Sequence, residues 1–191
     1  MAIRYTDRLR LEPIGPEHAD DLLRLFTDPT VARWWGEWTA EMAQREAERF
    51  GRGWATDGVH KWMAYHRMTG ELVGRGGLSR AHIDGRDRVE IGWVLRQEFL
   101  GHGYATEIGR AGLDFAFNEL DVDEVVSFTE ARNIKSRAVM QRLGFHYVKD
   151  FTIESDGEPF ALYLLERKRH VVSAPGSVIP PDTSGTRTGS A

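Results

Sequence analysis

The chain has 191 residues, and its 25 basic and 29 acidic side chains give a formal net charge of −4 at pH 7. The length fits one domain, and an apolar share of 41% is enough to form a core, which excludes a wholly disordered chain. The slight acidity argues against a protein that binds nucleic acid or an anionic membrane, and the absence of cysteine excludes disulfides, thiolate nucleophiles and cysteine-ligated metal sites.

The composition divides the chain into two parts. We expect one folded domain over residues 1–170 and a disordered tail over residues 171–191, because 13 of those 21 tail residues are Gly, Pro, Ser or Thr. The N-terminal residues show no apolar segment before a cleavage site, and no apolar run approaches the roughly 20 residues of a membrane helix. The sequence therefore predicts a cytoplasmic protein without a membrane partner.

Strand and helix patterns alternate along the first half of the domain. A helix is predicted to begin at residues 15–17, where Pro16 suits the first turn, and to stop at Pro29. A second helix begins at the capping residue Thr39 and is expected to end at the glycines at 51 and 53. Alternating apolar residues predict strands over residues 9–11, 62–67, 72–74 and 88–95, the last after a polar loop at 82–87.

The second half contains one parallel crossover. It joins the strand at 88–95 through a helix at 104–120 to a strand at 124–129. A helix at 133–143 follows, and a final hairpin is predicted from strands at 145–153 and 160–165 around Asp156-Gly157. The sequence therefore predicts an α+β (mixed α/β) fold, in which helices lie on the faces of a mixed sheet.

A loop with two glycines carries the strongest functional signal. Gly101 and Gly103 stand between the predicted strand at 88–95 and the helix that follows it. Glycine lets the backbone turn tightly and approach a ligand, and the free N–H groups at a helix start form an anion site that suits phosphate. The loop lacks the Lys of a P-loop and the third glycine of a dinucleotide-binding fingerprint, and a simple helix-entry turn is the alternative.

Three blocks of sequence resemble the GNAT family, the Gcn5-related N-acetyltransferases. The loop at residues 100–105, LGHGYA, is similar to the family's Gln/Arg-x-x-Gly-x-Gly/Ala motif, with Leu100 in the place of the usual Gln or Arg. Residues 133–145 are similar to its Asn-x-x-Ser helix that ends in Leu-Gly-Phe, and residues 90–95 resemble its central strand. Residues 136–140 are most similar to the branch that acetylates the N-termini of ribosomal proteins.

The resemblance implies a GNAT-like, mostly antiparallel sheet whose central parallel pair, strands 88–95 and 124–129, is splayed and flanked by helices. It implies that acetyl-CoA, the cosubstrate, lies between these two strands. Its pantetheine arm would bind the main chain of Trp93, Val94 and Leu95 and the side chain of Asn133, which is also a natural N-cap. Its pyrophosphate would bind main-chain amides of Gly101, His102, Gly103, Tyr104, Ala105 and Thr106.

Amide formation requires a neutral amine, so a base must remove a proton from an alkylammonium ion whose pKa is about 10. Glu90 is the candidate catalytic base, because it interrupts an apolar run on a central strand, where burial would raise its pKa toward the working range. It could act directly or through water. A structural salt bridge to Arg75 or Arg88 is the alternative.

The leaving CoA thiolate needs a proton or a hydrogen bond. Many family members use a tyrosine at the position of Met140, which cannot donate one. The resemblance suggests Ser136 as the catalytic substitute, and an ordinary first-turn helix residue is the alternative. The resemblance suggests the main-chain N–H of Val94 as the donor to the developing oxyanion.

Three tryptophans, Trp34, Trp35 and Trp38, lie within five residues between the first two predicted helices. The resemblance places them over the acceptor site, where aromatic rings could wall a substrate or contact an ammonium group. A hydrophobic plug or a homodimer contact is the alternative. The histidines show no metal-ligand spacing, so we expect no metal.

These observations predict an enzyme that moves an acetyl group from acetyl-CoA to a primary amine by direct attack in a ternary complex. The lack of cysteine excludes a cysteinyl acyl-enzyme, which agrees with direct transfer. The acceptor is expected to be a protein N-terminus or a small-molecule amine, with no nucleic-acid partner and with a homodimer left open. The alternative is a non-catalytic CoA-binding regulatory or interaction module.

Overall fold

The computed structural model describes residues 2–83, 85–152 and 158–168, and within them lie eight strands and five α-helices. The strands are β1 (Arg4–Tyr5), β2 (Leu9–Pro13), β3 (Lys61–His66), β4 (Leu72–Ile83), β5 (Arg86–Leu95), β6 (Glu124–Glu130), β7 (His146–Thr152) and β8 (Pro159–Glu166). The helices are α1 (Ala19–Phe26), α2 (Pro29–Trp35), α3 (Ala40–Asp57), α4 (Tyr104–Asn118) and α5 (Ile134–Arg142). The predicted tail at 171–191 and the predicted turn at Asp156-Gly157 lie outside the described residues.

The eight strands form one sheet in the order β1-β2-β3-β4-β5-β6-β8-β7. Neighbouring strands are antiparallel except β5 and β6, which run parallel and are joined through α4. Helix α4 packs on β4 and β5, while α1 and α3 pack against each other. The predicted α+β (mixed α/β) fold, with a mostly antiparallel sheet and one central parallel pair, is confirmed.

The two faces of β5 meet different helices. A Cβ atom on Gly112 of α4 would lie 2.7 Å from Ile91 Cδ1, so Ile91 points toward α4. Val94 packs against the buried cluster of the α1–α3 layer, which includes Phe26. Because side chains alternate along a strand, Glu90 and Val94 both face the α1–α3 layer.

Strands β5 and β6 pair only briefly before they separate. Their register contains one residue pair, Glu90 with Val126. At the next position Ser127 Oγ donates a hydrogen bond to Ile91 O at 2.8 Å, and residues 92–94 of β5 are only partly buried. We call the open end beyond this pair the fork, and it agrees with the predicted splayed pair.

The segment after α1 differs from the prediction. Pro29 begins α2, and Asp28 caps this helix by accepting a hydrogen bond from Thr30 N at 3.0 Å. Part of the segment predicted as a loop between the first two helices is therefore helical. The prediction was wrong because proline fits the first turn of a helix as well as the position after a helix end.

Helix α3 runs beyond its predicted end. It continues through Gly51 and Gly53 to Asp57, and Gly58 with φ of 68° ends it. A Cβ atom on Gly53 would overlap the His60 ring, so this glycine serves close packing inside the helix and is no terminator. The contact with His60 therefore explains Gly53 better than the common role of glycine at a helix end.

The hairpin of β4 and β5 also extends further than predicted. The two strands pair as far as His82 with Asp87 and Ile83 with Arg86, within the segment predicted as a polar loop. Polar side chains are compatible with strand structure at a solvent-exposed hairpin end, because the backbone pairing does not depend on them. The short strand β1 was not predicted.

Candidate active site

The loop after β5 presents a run of unpaired main-chain amides. Gly101 and Gly103 have φ of 82° and 83°, and Gly103 is the N-cap of α4. The first hydrogen bond of this helix start runs from Glu107 N to Gly103 O at 3.1 Å. In the described part of the chain, no main-chain carbonyl accepts a hydrogen bond from the amides of residues 101–106. These N–H groups and the positive end of the helix dipole suit a phosphate group.

Arg8, which no sequence motif marks as functional, contacts this loop from the segment just before β2. Its Nη1 donates to His102 O at 2.9 Å, and its guanidinium lies 4.3 Å from the centre of the Tyr104 ring. Its Nη2 lies 2.7 Å from Glu107 Oε2. Although partial burial raises the pKa of Glu107, hydrogen bonds from Thr6 and Arg8 lower it below the usual value overall. The loop is therefore held by an ionic contact to a remote segment.

The carboxylate of Glu90 lies in a buried ion pair. Its Oε2 is 2.6 Å from Lys61 Nζ on β3, and Ser79 Oγ donates to the same oxygen at 2.9 Å. Lys61 Nζ also donates to Gly77 O at 2.9 Å. The partner of Glu90 is thus Lys61, and the two arginines considered from the sequence are not within ion-pair distance; Arg88 pairs with Glu124 at 2.9 Å.

The two members of this pair differ: burial shifts the pKa of Lys61, and Glu90 uses only one of its two oxygens in contacts with the described residues. Burial lowers the pKa of Lys61, and the attraction of Glu90 opposes that shift. A Cβ atom on Gly92 would lie 2.8 Å from Glu90 Oε1, so the glycine provides the space that this oxygen occupies. Among the described residues, none donates a hydrogen bond to Oε1, and the Glu90 side chain keeps 12% of its surface exposed.

The start of α5 combines a helix cap with a free hydroxyl. Asn133 Oδ1 accepts a hydrogen bond from Ser136 N at 3.1 Å, which confirms the capping prediction for Asn133. This bond leaves the Asn133 amide nitrogen available. Ser136 is partly buried in the first turn, and within the part of the chain that the structure describes its hydroxyl makes no hydrogen bond.

The three tryptophans are held in different ways. Trp38 stacks on Phe26, with ring centres 3.7 Å apart, so it is largely fixed to the core. Trp35 meets Phe26 edge-on at 5.4 Å and is 50% exposed. Trp34 lies 5.5 Å from the guanidinium of Arg132, in the segment between β6 and α5. The tryptophans therefore border the α1–α3 side of the sheet and reach toward the start of α5.

Asp28 ties the tryptophan-bearing helix to the end of β5. Its Oδ2 accepts a hydrogen bond from Gln97 N at 3.1 Å, in addition to its cap on α2. Burial raises the pKa of Asp28, but hydrogen bonds from Thr30 and Gln97 outweigh it and lower the pKa overall. This carboxylate fixes α2 relative to the loop that carries Gly101.

The fold thus brings most of the predicted residues to one region. Glu90 and Val94 share the α1–α3 face with Trp35, whereas the Trp93 side chain packs on the α4 side. The β6-facing edge of β5 has no register partner beyond Glu90, so the main-chain groups of Trp93 and Leu95, which point to this edge, are open to pairing with an extended ligand, whereas those of Val94 point to β4. Such an edge and the amides at 101–106 suit a long ligand that ends in a phosphate.

Two further properties of the structure concern metal binding and membrane insertion. Within residues 2–83, 85–152 and 158–168, no group of three or more His, Asp or Glu side chains is placed to hold a metal ion. None of the helices in this part of the chain is long and apolar enough to cross a membrane.

Residues 8–146 match the acetyltransferase (GNAT) domain family. The chain is 32% identical over 170 residues to an uncharacterised protein, YkkB, of Bacillus subtilis, and this match covers 86% of the chain and 95% of YkkB. It is also 32% identical over 165 residues to an FsC-acetyl coenzyme A-N(2)-transacetylase of Aspergillus fumigatus, over 81% of the chain and 69% of that protein. The resemblance noted from the three motifs is confirmed.

Solved structures share the fold. A putative ribosomal-protein-serine acetyltransferase from Vibrio cholerae superposes with a TM-score of 0.73 at 19% identity, over 86% of this chain and 97% of that one. The aminoglycoside acetyltransferase AAC(6')-Ib in complex with coenzyme A gives a TM-score of 0.73 at 19% identity, over 86% of this chain and 98% of that one.

Proposed function

The chain belongs to the GNAT acetyltransferase family and is an acetyl-CoA-dependent N-acyltransferase; from this premise we propose that it acetylates a primary amine by direct attack within a ternary complex. The observation that carries the proposal is the run of unpaired amides at residues 101–106, at the end of the open edge of β5. It adjoins the sheet face on which Glu90 lies. The proposed acetyl-CoA site and the candidate base Glu90 therefore both lie next to the fork.

The residues at the fork fit acetyl-CoA, which supplies the acetyl group activated as a thioester. The amides from Gly101 to Thr106 would hold the pyrophosphate, and the open main chain at residues 93–95 would pair with the pantetheine arm. The amide nitrogen of Asn133 would add a hydrogen bond to this arm, because only its oxygen is used by the helix cap. The glycines at 101 and 103 adopt a backbone conformation that other residues rarely take.

Glu90 would receive the proton that the acceptor ammonium must lose. Lys61 and Ser79 both bind Oε2, so Oε1 is the oxygen left to accept the proton, directly or through one water. The Lys61 ammonium and the Ser79 hydroxyl hold the carboxylate in place, with Oε1 toward the space beside Gly92. This role makes the ion pair part of the site and not only part of the core.

Two other atoms gain negative charge during the reaction, the carbonyl oxygen of the acetyl group and the sulfur of CoA, and both have candidate hydrogen-bond donors. As the new N–C bond forms, a main-chain N–H on the open edge of β5 would donate to the oxygen that gains negative charge. The Val94 N–H, which was predicted for this role, points toward Arg75 O of β4. As the C–S bond breaks, the Ser136 hydroxyl would donate a hydrogen bond or a proton to the thiolate. The free state of this hydroxyl among the described residues supports the assignment.

The acceptor is proposed to be either a protein α-amine or a small-molecule amine. Similar structures include proteins named as a ribosomal-protein-serine acetyltransferase and an aminoglycoside acetyltransferase, so both classes occur on this fold. The motif at residues 136–140 favours the branch that acts on ribosomal-protein N-termini. Trp35 and Trp38 would form an apolar wall for the acceptor.

The test combines binding with turnover. Titration calorimetry with acetyl-CoA should give micromolar affinity, and a free-thiol assay should detect release of CoA that depends on an added amine, drawn from pools of small amines and N-terminal peptides. Absence of acetyl-CoA binding would contradict the assignment of the 101–106 loop. Binding without thiol release in any pool would favour the alternative, a non-catalytic CoA-binding or interaction module.

The exposed Trp35 allows the interaction alternative to be tested separately, since half of its surface is open to solvent. If Trp35 walls the acceptor, Trp35→Ala should raise KM for the amine and leave the elution volume in gel filtration unchanged. If it is a contact to another protein chain, including a second copy, the elution volume should change while the kinetics do not.

A further inference from the structure

Arg75, on β4, is a buried cation that forms no ion pair with the described residues. The residue is 5% exposed, and its Nε is buried without a hydrogen-bond partner. Its guanidinium carbon lies 5.3 Å from the ring centres of Phe26 and Trp35 and 5.5 Å from that of Phe50. In the part of the chain that the structure describes, no carboxylate lies within ion-pair distance of it. Burial lowers the pKa of Arg75 to about 10, so it stays charged at neutral pH.

The nearby charges do not balance around Arg75. The two carboxylates that attract it already have cations of their own: Glu46 lies 2.7 Å from Arg49 Nε, and Glu90 lies 2.6 Å from Lys61 Nζ. Among the described residues this group of three cations and two anions keeps one positive charge in excess. A buried charge without a partner is costly, and such a group is normally neutralised by a ligand or a neighbour.

The position of Arg75 connects it with the proposed chemistry. It pairs directly with Val94 across β4 and β5, and both side chains face the α1–α3 layer. Directly opposite residues on one face of a sheet have Cβ atoms about 5 Å apart. The guanidinium therefore belongs to the wall beside Val94, on the sheet face that also carries the proposed base Glu90. Of the three rings around the Arg75 guanidinium, that of Trp35 is half exposed, while those of Phe26 and Phe50 are buried.

We propose that Arg75 binds a carboxylate of the acceptor, so that the substrate is a compact primary amine with a carboxylate close to the amine, as in an amino acid. The inference rests on the proposed function, because the amine is the group that the proposed base and oxyanion donor serve. One excess positive charge calls for one monoanion. A planar guanidinium matches a carboxylate with two parallel hydrogen bonds. The three rings around it exclude water and strengthen that contact.

The test compares matched amines that differ only in the anionic group. Free amino acids and their α-carboxamides are assayed by thiol release under saturating acetyl-CoA, for the wild type and for Arg75→Met, which keeps an unbranched apolar stem without the charged guanidinium. The carboxamide lowers the pKa of the adjacent amine and so favours its reaction. A preference for the carboxylate would therefore not be an effect of amine protonation.

The wild type should show kcat/KM about tenfold or more higher for the carboxylate, because hydrogen bonds between charged groups are the stronger ones. Arg75→Met should reduce the ratio to about one through KM, with acetyl-CoA affinity unchanged, and Arg75→Lys should keep part of it. Arg33→Met is the matched control, since Arg33 is an exposed arginine whose guanidinium lies 5.3 Å from the Trp34 ring on the same helix as Trp35. It should keep the full ratio.

A binding measurement separates this inference from the proposed function. N-acetyl amino acids and their amides are titrated into the protein saturated with CoA, which requires no turnover. If amines are acetylated but carboxylate and amide react and bind alike, the Arg75 inference is wrong and the proposed function stands. If no amine reacts but N-acetyl carboxylates bind and lose affinity in Arg75→Met, the proposed function is wrong and the anion site stands.

Loss of the fold in Arg75→Met would not remove the test. Thermal unfolding and acetyl-CoA binding report the integrity of each variant. If Arg75→Met fails to fold, the inference is tested by the ratio of kcat/KM for carboxylate over carboxamide in the wild type and by how much of that ratio Arg75→Lys keeps. A wild-type ratio near one in both turnover and binding overturns the inference.

Discussion

Lys61 Nζ and Glu90 Oε2 lie 2.6 Å apart in a buried ion pair that joins β3 to β5 across β4. Ser79 donates to the same oxygen, and the other oxygen faces the space left by Gly92. One oxygen of this carboxylate is therefore bound within the sheet, and the other lies beside Gly92. A structural role and a catalytic role for Glu90 are compatible, and variants can separate them.

Glu90→Gln should lower kcat/KM for the amine by a factor of about 10² to 10⁴, which is the usual contribution of a general base. The affinity for acetyl-CoA should stay the same, because the amides of the 101–106 loop do not involve this side chain. Steady-state kinetics and titration calorimetry measure the two effects. Equal turnover by wild type and variant would show that Glu90 is not the base.

The same substitution leaves the Lys61 ammonium buried without its partner, which destabilises a protein by about 3–5 kcal/mol when a buried pair is broken. Adding Lys61→Met should restore stability, as measured by urea unfolding, because the lone charge is removed. It should not restore turnover. If the double variant regains activity, the single variant lost it through misfolding, and the catalytic role is refuted.

Gly92→Ala should reduce kcat with little change in stability. The added methyl group would lie 2.8 Å from Glu90 Oε1, and the flexible carboxylate can shift to relieve this contact. We expect a fall in kcat of about tenfold, because a small displacement of a catalytic group has large effects. The double variant with Glu90→Gln should be no slower than Glu90→Gln alone, since both act on one group. Additive losses would contradict this explanation.

Local patterns predicted much of the fold and the places where the helices next to the proposed acetyl-CoA site begin. The change from helical to alternating periodicity revealed the order of elements, and the glycines at 101 and 103 marked the start of α4. The Asn133 cap followed from residue type and position alone. These features depend on neighbours within one turn or one strand, where sequence spacing and spatial distance agree.

Contacts between distant segments could not be predicted in this way. Lys61 precedes Glu90 by 29 residues, and Arg8 precedes His102 by 94. An apolar strand with one lysine gives no indication of which carboxylate it meets, because register across β3 and β4 sets that. The unpaired state of Arg75 is likewise a property of the packed layer. Its signal in the sequence is a charge among the apolar residues and glycines of the first half of β4.

Gly101→Ala should weaken acetyl-CoA binding about tenfold. Its φ of 82° disfavours a residue with a Cβ by about 1–2 kcal/mol, although no atom lies within 4 Å to block the methyl group. Gly85→Ala is the matched control, since φ there is 73°, also with open space, at the opposite end of β5. Both variants should lose similar stability, and only Gly101→Ala should change the Kd for acetyl-CoA. An equal loss of affinity in the control would indicate a global effect of stability.

The stability of the protein should fall between pH 6.5 and about pH 4 through His60. Burial, with a smaller contribution from the Lys61 charge, lowers the pKa of His60 from 6.5 to about 4, and its Nδ1 accepts a hydrogen bond from Lys61 N. In this window the unfolded chain binds a proton that the folded chain does not, so folding loses free energy as the pH falls. One pKa unit corresponds to about 1.4 kcal/mol, and partial screening by solvent leaves an expected loss of about 1–2 kcal/mol by pH 4.5.

Urea unfolding at pH 7.5 and pH 4.5 measures this difference in the free energy of unfolding. His60→Asn keeps a hydrogen-bond acceptor but does not titrate, so its difference between the two pH values should be smaller by that amount. Equal differences in wild type and variant would assign the acid sensitivity to other groups.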